Sequence, residues 1–565
     1  MIAMSMRADN PSSIADRSIQ FDWSFLDTCL VGLLALVTAA VRLPTLVEPW
    51  GGDQGVFGFI AKSMLDGQVL YRDVYSSTGY GIMFAYAGLF KMFGVSMTAI
   101  HIGDLIAWIT AVCGVFLLAR LLYGREVAVL AGFIAIVTGS GRAFSGMVDM
   151  RGAWGTYWQL AQRESFMMPL FTGAVLLVIL AVHKRNTVLA LCSGALVGLA
   201  AVFKWTAVLM LALIVAYAIA APMPEHNRRL RHSHALVLAT LLGFVLANLP
   251  FLFYFWRNES LSDMFRAVFI HTAVYAKLSW GNIVADAFRG NTYFLAEDLF
   301  VSLMAAGALL YFVSKRPAGK ENYLIGSWMF VSLWMVWGQG KFFGYHFIIL
   351  VGPFTITAAF GIRQFLKTMS TWKESILSSR TDMARLILWV MLAGSIGVFA
   401  WDYYDYYRWN ALYLSGRISK QVYYEVFNEY PLHLYSFRAN REVAEYLKTN
   451  AQPGATFRDI NGGGETVINF LTGMKTATRF TSTWYLFSKK LYGDVLTTQL
   501  RQELIQGVET EKPEYIMLVY YTANEFRDEY PKPEYGDVWN LMDYVEQNYV
   551  LEKEFRDGRV LYRRI

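Results

Sequence analysis

Long apolar stretches separated by short polar connections make up the chain as far as Trp401. A helix that crosses a membrane needs roughly 20 mainly apolar residues, and this window predicts about eleven spans. The predicted spans are 25–41, 100–121, 127–140, 166–182, 187–203, 206–221, 235–256, 299–313, 323–337, 347–362 and 386–401. The pattern therefore predicts an α-helical polytopic membrane protein with about 11 transmembrane helices.

The basic residues of the short connections predict the orientation, because Lys and Arg stay on the cytoplasmic side. With the N-terminal segment 1–22 inside, the basic connections at 120–125, 184–185, 228–231, 315–320 and 363–385 all lie inside. An odd number of spans places the C-terminal part of the chain outside. The apolar segment 80–93 is too short to span, so we expect it to lie in or dip into the interface.

The sequence pattern changes from about residue 440. Residues 442–447 have helical spacing, 514–519 and 560–564 resemble strands, and 538–549 resembles a helix. We predict an extracytoplasmic α/β domain over 440–565. The connector 406–439 joins it to a transmembrane domain, 23–405, whose first outer loop covers 43–97.

Composition agrees with a chain whose main solvent is lipid. Of its 565 residues 55% are apolar and 17% are charged, which is below the usual charged fraction of soluble domains. The net charge of +6 comes from basic residues at the ends of apolar segments, which argues against nucleic-acid binding. Cys29, Cys113 and Cys192 lie inside apolar runs, which leaves no disulfide framework. The sequence has neither a Walker loop nor a GxGxxG turn, which argues against a nucleotide-linked donor.

Several ionisable residues fall at the outer membrane edge. Asp53 follows the first span between glycines and is a candidate general base, although a helix N-cap is the alternative. Arg72 lies further along the same loop. The second outer loop, 141–164, carries the acids Asp149 and Glu164 and the base Arg163, and a solvated ion pair with a neighbouring arginine is the alternative for Asp149.

Two further outer connections carry basic residues. Lys204 stands between two apolar runs, where the charge either snorkels to the interface or has an anionic partner. Lys341, Tyr345 and His346 share a tight connection, and a structural hydrogen-bonded role is the alternative for the histidine. Carboxylates combined with Lys, Arg and His at a membrane edge indicate an anionic ligand, such as a lipid phosphate. Asp53 and Asp149 could also hold a divalent cation.

These motifs resemble the GT-C superfamily of polytopic glycosyltransferases, near its protein mannosyltransferase and lipid A aminoarabinose transferase branch. Asp53 matches the acidic position after the first span, and AKSMLDGQVLYRD at 61–73 matches the phrase A-x-x-x-L-x-G-x-x-x-Y-x-D. A second outer acidic site, a Lys between adjacent spans and an aromatic-His phrase also correspond. The chain departs from the pattern at Gln54, where Glu is common, and at 78–80, where a double proline is common.

The resemblance implies transfer of a sugar from a polyprenyl-phosphate donor to an acceptor hydroxyl, with inversion, at the outer face of a plasma membrane, which in a bacterium is the inner membrane. The acceptor would be a glycan, a lipid or a protein. Asp53 would take the proton of the hydroxyl. Lys204, Lys341, His346 or Arg163 would hold the leaving phosphate, and Asp149, Glu164, Tyr345 and Arg72 complete the expected substrate-binding set.

Three other functions remain open at the level of sequence. A secondary transporter is also polytopic, and His101 and Asp104 in the second span would suit a proton relay. An O-antigen ligase or polymerase shares the chemistry but usually lacks the terminal domain. A non-catalytic subunit of an envelope glycan assembly complex would use its outer domain to bind a partner.

Overall fold

The computed structural model describes residues 22–140, 160–220, 226–276, 284–285, 287–288, 299–314, 320–340, 342–371, 393–394, 397, 404, 407–425, 436–462, 465–519, 521–532, 534–556 and 558–565. Helices dominate these residues. Helices α1 to α11 cover Phe25–Arg42, Gly52–Leu65, Gly81–Phe93, Met97–Tyr123, Arg125–Ser140, Arg163–Lys184, Thr187–Phe203, Val208–Ala220, His226–Arg257, Leu261–Phe265 and Thr272–Ala276, with a π-helical turn at Arg266–His271.

The remaining helices lie in the second half of the chain. Helices α12 to α20 cover Leu299–Ser314, Lys320–Trp337, Val351–Thr371, Lys420–Glu425, Phe437–Asn450, Glu465–Thr472, Val495–Glu511, Ala523–Glu529 and Gly536–Asn548. Short 3₁₀ helices cover Leu43–Val47, Trp205–Ala207, Gly344–Leu350, Trp484–Phe487 and Lys489–Leu491.

The helices support a multi-pass membrane protein. Each predicted span except 386–401 coincides with a helix, and 386–401 falls almost wholly outside the described residues. Among the described helices, those long and apolar enough to cross a membrane are Phe25–Val47, Met97–Tyr123, Arg163–Lys184, His232–Arg257 and Gly344–Lys367. Large apolar side chains such as Leu36 and Leu238 remain exposed, as expected of faces in contact with lipid. The total of eleven spans stays a prediction.

Small residues allow close packing between α7 and α9. A β-carbon added to Gly194 would overlap the carbonyl of Thr240, and one added to Gly243 would overlap the carbonyl of Leu191. Membrane helices commonly use small residues in this way. Lipid is as apolar as the helix surface, so helices associate through close packing and not through a hydrophobic driving force. This contact packs α7, whose end carries Lys204, against the long helix α9.

The chain from Phe437 onward contains a four-stranded sheet of order β1-β2-β4-β3. The strands are Phe457–Asp459, Tyr515–Val519, Tyr549–Glu554 and Arg559–Arg564 in chain order. β1 and β2 pair in parallel, and the other neighbours pair antiparallel. The strands at 515–519 and 559–564 and the helix α20 confirm the elements predicted from the sequence, while their placement in a separate extracytoplasmic domain stays a prediction.

This C-terminal region packs on the first outer loop. The Tyr75 N–H donates to the Arg479 carbonyl at 2.6 Å, and the Thr481 N–H donates to the Tyr75 carbonyl at 3.3 Å. The ring of Phe470 on α17 lies 4.4 Å from that of Trp50, which is fully buried. The C-terminal region therefore covers α2, the helix that carries Asp53.

The phrase at 61–73 ends α2 and turns the chain back. Gly67 has a φ of 96°, a left-handed conformation that suits glycine at a helix C-terminus. The buried Tyr71 hydroxyl then donates to the Thr78 carbonyl at 2.6 Å. Next to it, Gly79 lies so close to the Phe203 carbonyl that a β-carbon would overlap it. The departure at 78–80 therefore places this loop beside the end of α7.

Candidate functional site

Asp53 lies in the first turn of α2, one residue inside the position that caps the helix. Gly51 is the N-cap, with extended backbone, and its N–H donates to the Gln54 side chain at 2.5 Å. The alternative that Asp53 is the N-cap is therefore wrong, and its carboxylate is available for other contacts. The positive end of the helix dipole still favours a negative charge at this position.

Contacts from two other elements reach the Asp53 carboxylate. The Gln162 amide donates to its Oδ2 at 3.4 Å, and the Tyr345 hydroxyl donates a second hydrogen bond. Burial raises the pKa of Asp53, Arg163 opposes the rise, and Glu164 adds to it. A carboxylate with a raised pKa accepts a proton more readily, which suits a general base.

Arg163 and Glu164 begin α6, directly after its N-cap Gln162. Glu164 is almost fully buried, and its Oε1 accepts a hydrogen bond from Lys204. Its Oε2 and the Nε of Arg163 are buried without a hydrogen-bond partner among the described residues. Buried polar atoms are normally satisfied, so these two are suited to contact a bound ligand.

Lys204 follows the last residue of α7, where extended backbone (φ −154°, ψ 115°) breaks the helix before the 3₁₀ turn Trp205–Ala207. Its ammonium group donates to Glu164 and to Gln339, and its side chain is 11% exposed. The prediction that Lys204 has an anionic partner is thus confirmed, and the alternative that it snorkels to the interface is not. Burial lowers the pKa of Lys204 to about 8, although Glu164 acts to raise it.

Tyr345 and His346 belong to the 3₁₀ helix Gly344–Leu350. Tyr345 contacts Asp53 through its hydroxyl. His346 is buried and packs against the rings of Phe343 and Tyr345, at centroid distances of 5.5 and 4.6 Å. Tyr345 is therefore part of the Asp53 cluster, and His346 packs against the Tyr345 ring.

Arg72 has a different set of partners. It pairs with Asp73 at 2.8 Å and donates to the Asn258 carbonyl at the end of α9, and its side chain is 47% exposed. These contacts tie the first loop to α9, and a substrate-binding role for Arg72 stays a prediction. Asp149 and Lys341 lie outside the described residues.

Charge-based reasoning missed two neutral side chains. Gln162 contacts Asp53, and Gln339 shares the Lys204 ammonium group. Their positions were a signal, because one directly precedes Arg163 and the other lies in a tight connection near Tyr345. Within the described parts of the chain, no group of three or more His, Cys, Asp or Glu side chains is placed to hold a metal ion.

Comparisons with known proteins concern the family and the fold of the chain. A family model for dolichyl-phosphate-mannose-protein mannosyltransferases matches residues 79–254. No curated protein matches the chain in sequence.

Solved structures with the same fold include ArnT from Cupriavidus metallidurans bound to undecaprenyl phosphate. The match has a TM-score of 0.58 at 13% identity and covers 95% of this chain and 98% of that one. The apo state of the same protein has a TM-score of 0.55 at 13% identity and covers 95% and 98%. The apo Archaeoglobus fulgidus oligosaccharyltransferase has a TM-score of 0.51 at 13% identity and covers 97% and 75%. With the family match, these structures confirm the resemblance seen in the motifs.

Proposed function

We propose that this GT-C superfamily protein transfers a sugar from a polyprenyl-phosphate-linked donor to an acceptor hydroxyl on the extracytoplasmic face of the plasma membrane. The observation that carries the proposal is the convergence of Asp53 with Arg163, Glu164 and Lys204, which come from three helices. The start of α6 and the end of α7 meet here, so the cluster lies at one end of the membrane helices. The undecaprenyl phosphate bound to ArnT supports the class of donor.

In the proposed reaction, the acceptor oxygen attacks the anomeric carbon of the donor sugar. Its proton passes to the carboxylate of Asp53 as the new C–O bond forms. The bond from the anomeric carbon to the phosphate oxygen breaks on the opposite side, and its electron pair leaves with the polyprenyl phosphate. Attack from one side and departure from the other invert the anomeric configuration.

The cations of the cluster match the charge that develops. The donor is a phosphodiester with one negative charge, and the departing lipid phosphate gains a second. Arg163, whose Nε has no hydrogen-bond partner among the described residues, and Lys204 can stabilise that increase. Lys204 is shared with Glu164 and Gln339, so it can turn toward phosphate while the neutral Gln339 still accepts from it.

The two carboxylates have different proposed tasks. Asp53 accepts the proton, and Tyr345 and Gln162 orient it through the hydrogen bonds that they donate. Glu164 balances the buried charge of Lys204 until the donor phosphate arrives. We further propose that Lys341, His346 and Asp149 complete the donor and acceptor sites.

An assay of the purified protein in lipid nanodiscs tests the proposal against the other functions. The protein is incubated with a panel of polyprenyl-phosphate sugars and with candidate hydroxyl acceptors. Release of polyprenyl phosphate with formation of a glycosylated acceptor is the expected result. Substrate flux into protein-containing vesicles without lipid release would instead identify a transporter. Absence of both transfer and flux when partner proteins are present would identify a binding subunit.

A further inference from the structure

The backbone of Leu160 and Ala161, which we term the 160–161 strap, is held by side chains from three helices. The Gln54 amide of α2 donates to the Leu160 carbonyl at 2.6 Å. The Tyr86 hydroxyl of α3 donates to the Ala161 carbonyl at 2.9 Å. The Ala161 N–H donates to Asp104 Oδ1 of α4 at 2.8 Å. All three side chains are fully buried.

Asp104 is itself fixed from the opposite side. Its Oδ2 lies 2.5 Å from a guanidinium nitrogen of Arg42, at the end of α1. The Arg42 guanidinium also lies over the Trp108 ring, 4.5 Å from its centroid. Both Asp104 oxygens thus have structural partners. Asp104 would also suit a proton relay, but here its carboxylate binds the strap and Arg42.

The strap has a conformation that needs support. Ala161 has a φ of 54°, in the left-handed region that residues with a β-carbon avoid. The next residues are Gln162, Arg163 and Glu164, which begin α6 and face Asp53 and Lys204. The strap therefore determines where the phosphate-binding end of α6 starts.

Gln54 connects this strap to the helix turn that carries Asp53. Its side-chain oxygen accepts from the Gly51 N–H at 2.5 Å while its nitrogen donates to the Leu160 carbonyl. An amide can do both at once, whereas an ionised carboxylate only accepts. Of these two adjacent residues, Asp53 takes part in the proposed reaction and Gln54 fixes the position of α2.

We propose that Gln54, Tyr86 and Asp104 are positioning residues that set the spacing between Asp53 on α2 and the Arg163–Glu164 end of α6. The inference rests on the proposed function of the Asp53 cluster. Each residue acts through the strap and not on the substrate. Because a small misplacement of reacting groups lowers turnover strongly, loosening the strap affects the chemical step more than donor binding.

Tyr86→Phe removes one hydroxyl and leaves the packing of the ring. We expect kcat to fall by about ten-fold while the KM for the donor changes much less. Tyr446→Phe is the matched control, since it removes a hydroxyl that donates to Glu552 in the C-terminal region, at 2.7 Å. Wild-type kcat in Tyr86→Phe would overturn the proposal for this residue, as would an equal loss in both variants.

Gln54→Glu adds a readout that simple destabilisation would not produce. The introduced carboxyl group can donate to Leu160 when protonated and loses that bond when ionised. Position 54 is fully buried, and burial favours the protonated form of a carboxyl group. We expect the activity of Gln54→Glu, divided by that of the wild type, to fall as pH rises, and the same ratio for Gln54→Ala to stay level. A level ratio for both variants would overturn the inference.

Hydrogen exchange separates failure of this inference from failure of the proposed function. Loosening the strap should speed exchange of the Ala161 amide in Tyr86→Phe, whether or not a donor has been identified. Faster exchange with unchanged kcat would show a structural contact without a positioning role. Absence of transfer by the wild-type protein with every donor would reject the proposed function, and the exchange data would still report whether the strap is held.

Discussion

Lys204 and Glu164 form a buried ion pair between the end of α7 and the start of α6. The two side chains are 11% and 1% exposed, and Gln339 accepts a second hydrogen bond from the same ammonium group. Buried charges are costly unless they are paired and hydrogen-bonded. The pair therefore keeps a cation at the place where the donor phosphate is proposed to leave.

Lys204→Ala should weaken donor binding. A hydrogen bond to a charged group contributes about 1.5–3 kcal/mol, so the KM for the donor should rise by about ten-fold or more. Lys62→Ala is a control, because the Lys62 side chain is 35% exposed and its ammonium group pairs with Asp66. Titration with polyprenyl phosphate measures the affinity directly. An unchanged dissociation constant in Lys204→Ala would assign this lysine to helix packing alone.

The pH profile of kcat/KM should decline on both sides. Asp53 must be ionised to accept a proton, and burial raises its pKa, so activity falls as pH drops through a value above the usual 3.8. Lys204 must be protonated to hold phosphate, and its pKa of about 8 places the upper decline near that pH. Arginine stays charged, so Lys204→Arg should remove the upper decline and keep the lower one. Persistence of the upper decline in Lys204→Arg would contradict this assignment.

The contact between Gly55 and Val467 should be sensitive to size. A β-carbon on Gly55 would overlap the Val467 side chain, which comes from α17 of the C-terminal region. Gly55→Ala should therefore cost about 1–3 kcal/mol and lower the melting temperature. Gly88→Ala is the control, because a β-carbon there meets no atom within 4 Å.

A second substitution distinguishes this clash from a general effect of alanine in α2. Val467→Ala removes the Cγ2 atom that a β-carbon at residue 55 would overlap, and it leaves the Cβ of residue 467 at 3.1 Å. The double variant should recover much of the stability and activity lost in Gly55→Ala. Equal losses in the single and double variants would show that the loss in Gly55→Ala does not come from a clash with Val467.

The hydrophobic pattern predicted the helices well because lipid imposes a length and a composition on each span. The end of α7 at Lys204 was also predictable, since a charge between two apolar runs needs a partner. The identity of that partner was not, because Glu164 lies forty positions earlier and only tertiary packing brings the two together. The total number of spans still rests on the sequence pattern.

The candidate site was predicted in part. Asp53 was singled out, and the structure joins it to Tyr345 and Arg163. The sequence did not show that Gly51, not Asp53, is the N-cap of α2, nor that Gln54 accepts from the Gly51 N–H. Neutral residues such as Gln54 do not stand out in a search for charged residues. Their hydrogen bonds are made with the backbone of segments that are distant in sequence.

Turnover of Asp53→Asn with the donor identified for the wild type is the most direct test of the proposed mechanism. Asparagine keeps the size of the side chain, and its one carbonyl oxygen can still accept from Gln162 or Tyr345, but it cannot take the proton of the acceptor. Single-turnover transfer should fall by at least about 10²-fold, with unchanged melting temperature and polyprenyl-phosphate affinity. Asp66→Asn, at an exposed carboxylate just after the same helix, should retain full transfer. Wild-type transfer with inversion by Asp53→Asn would contradict the assignment of Asp53 as the base.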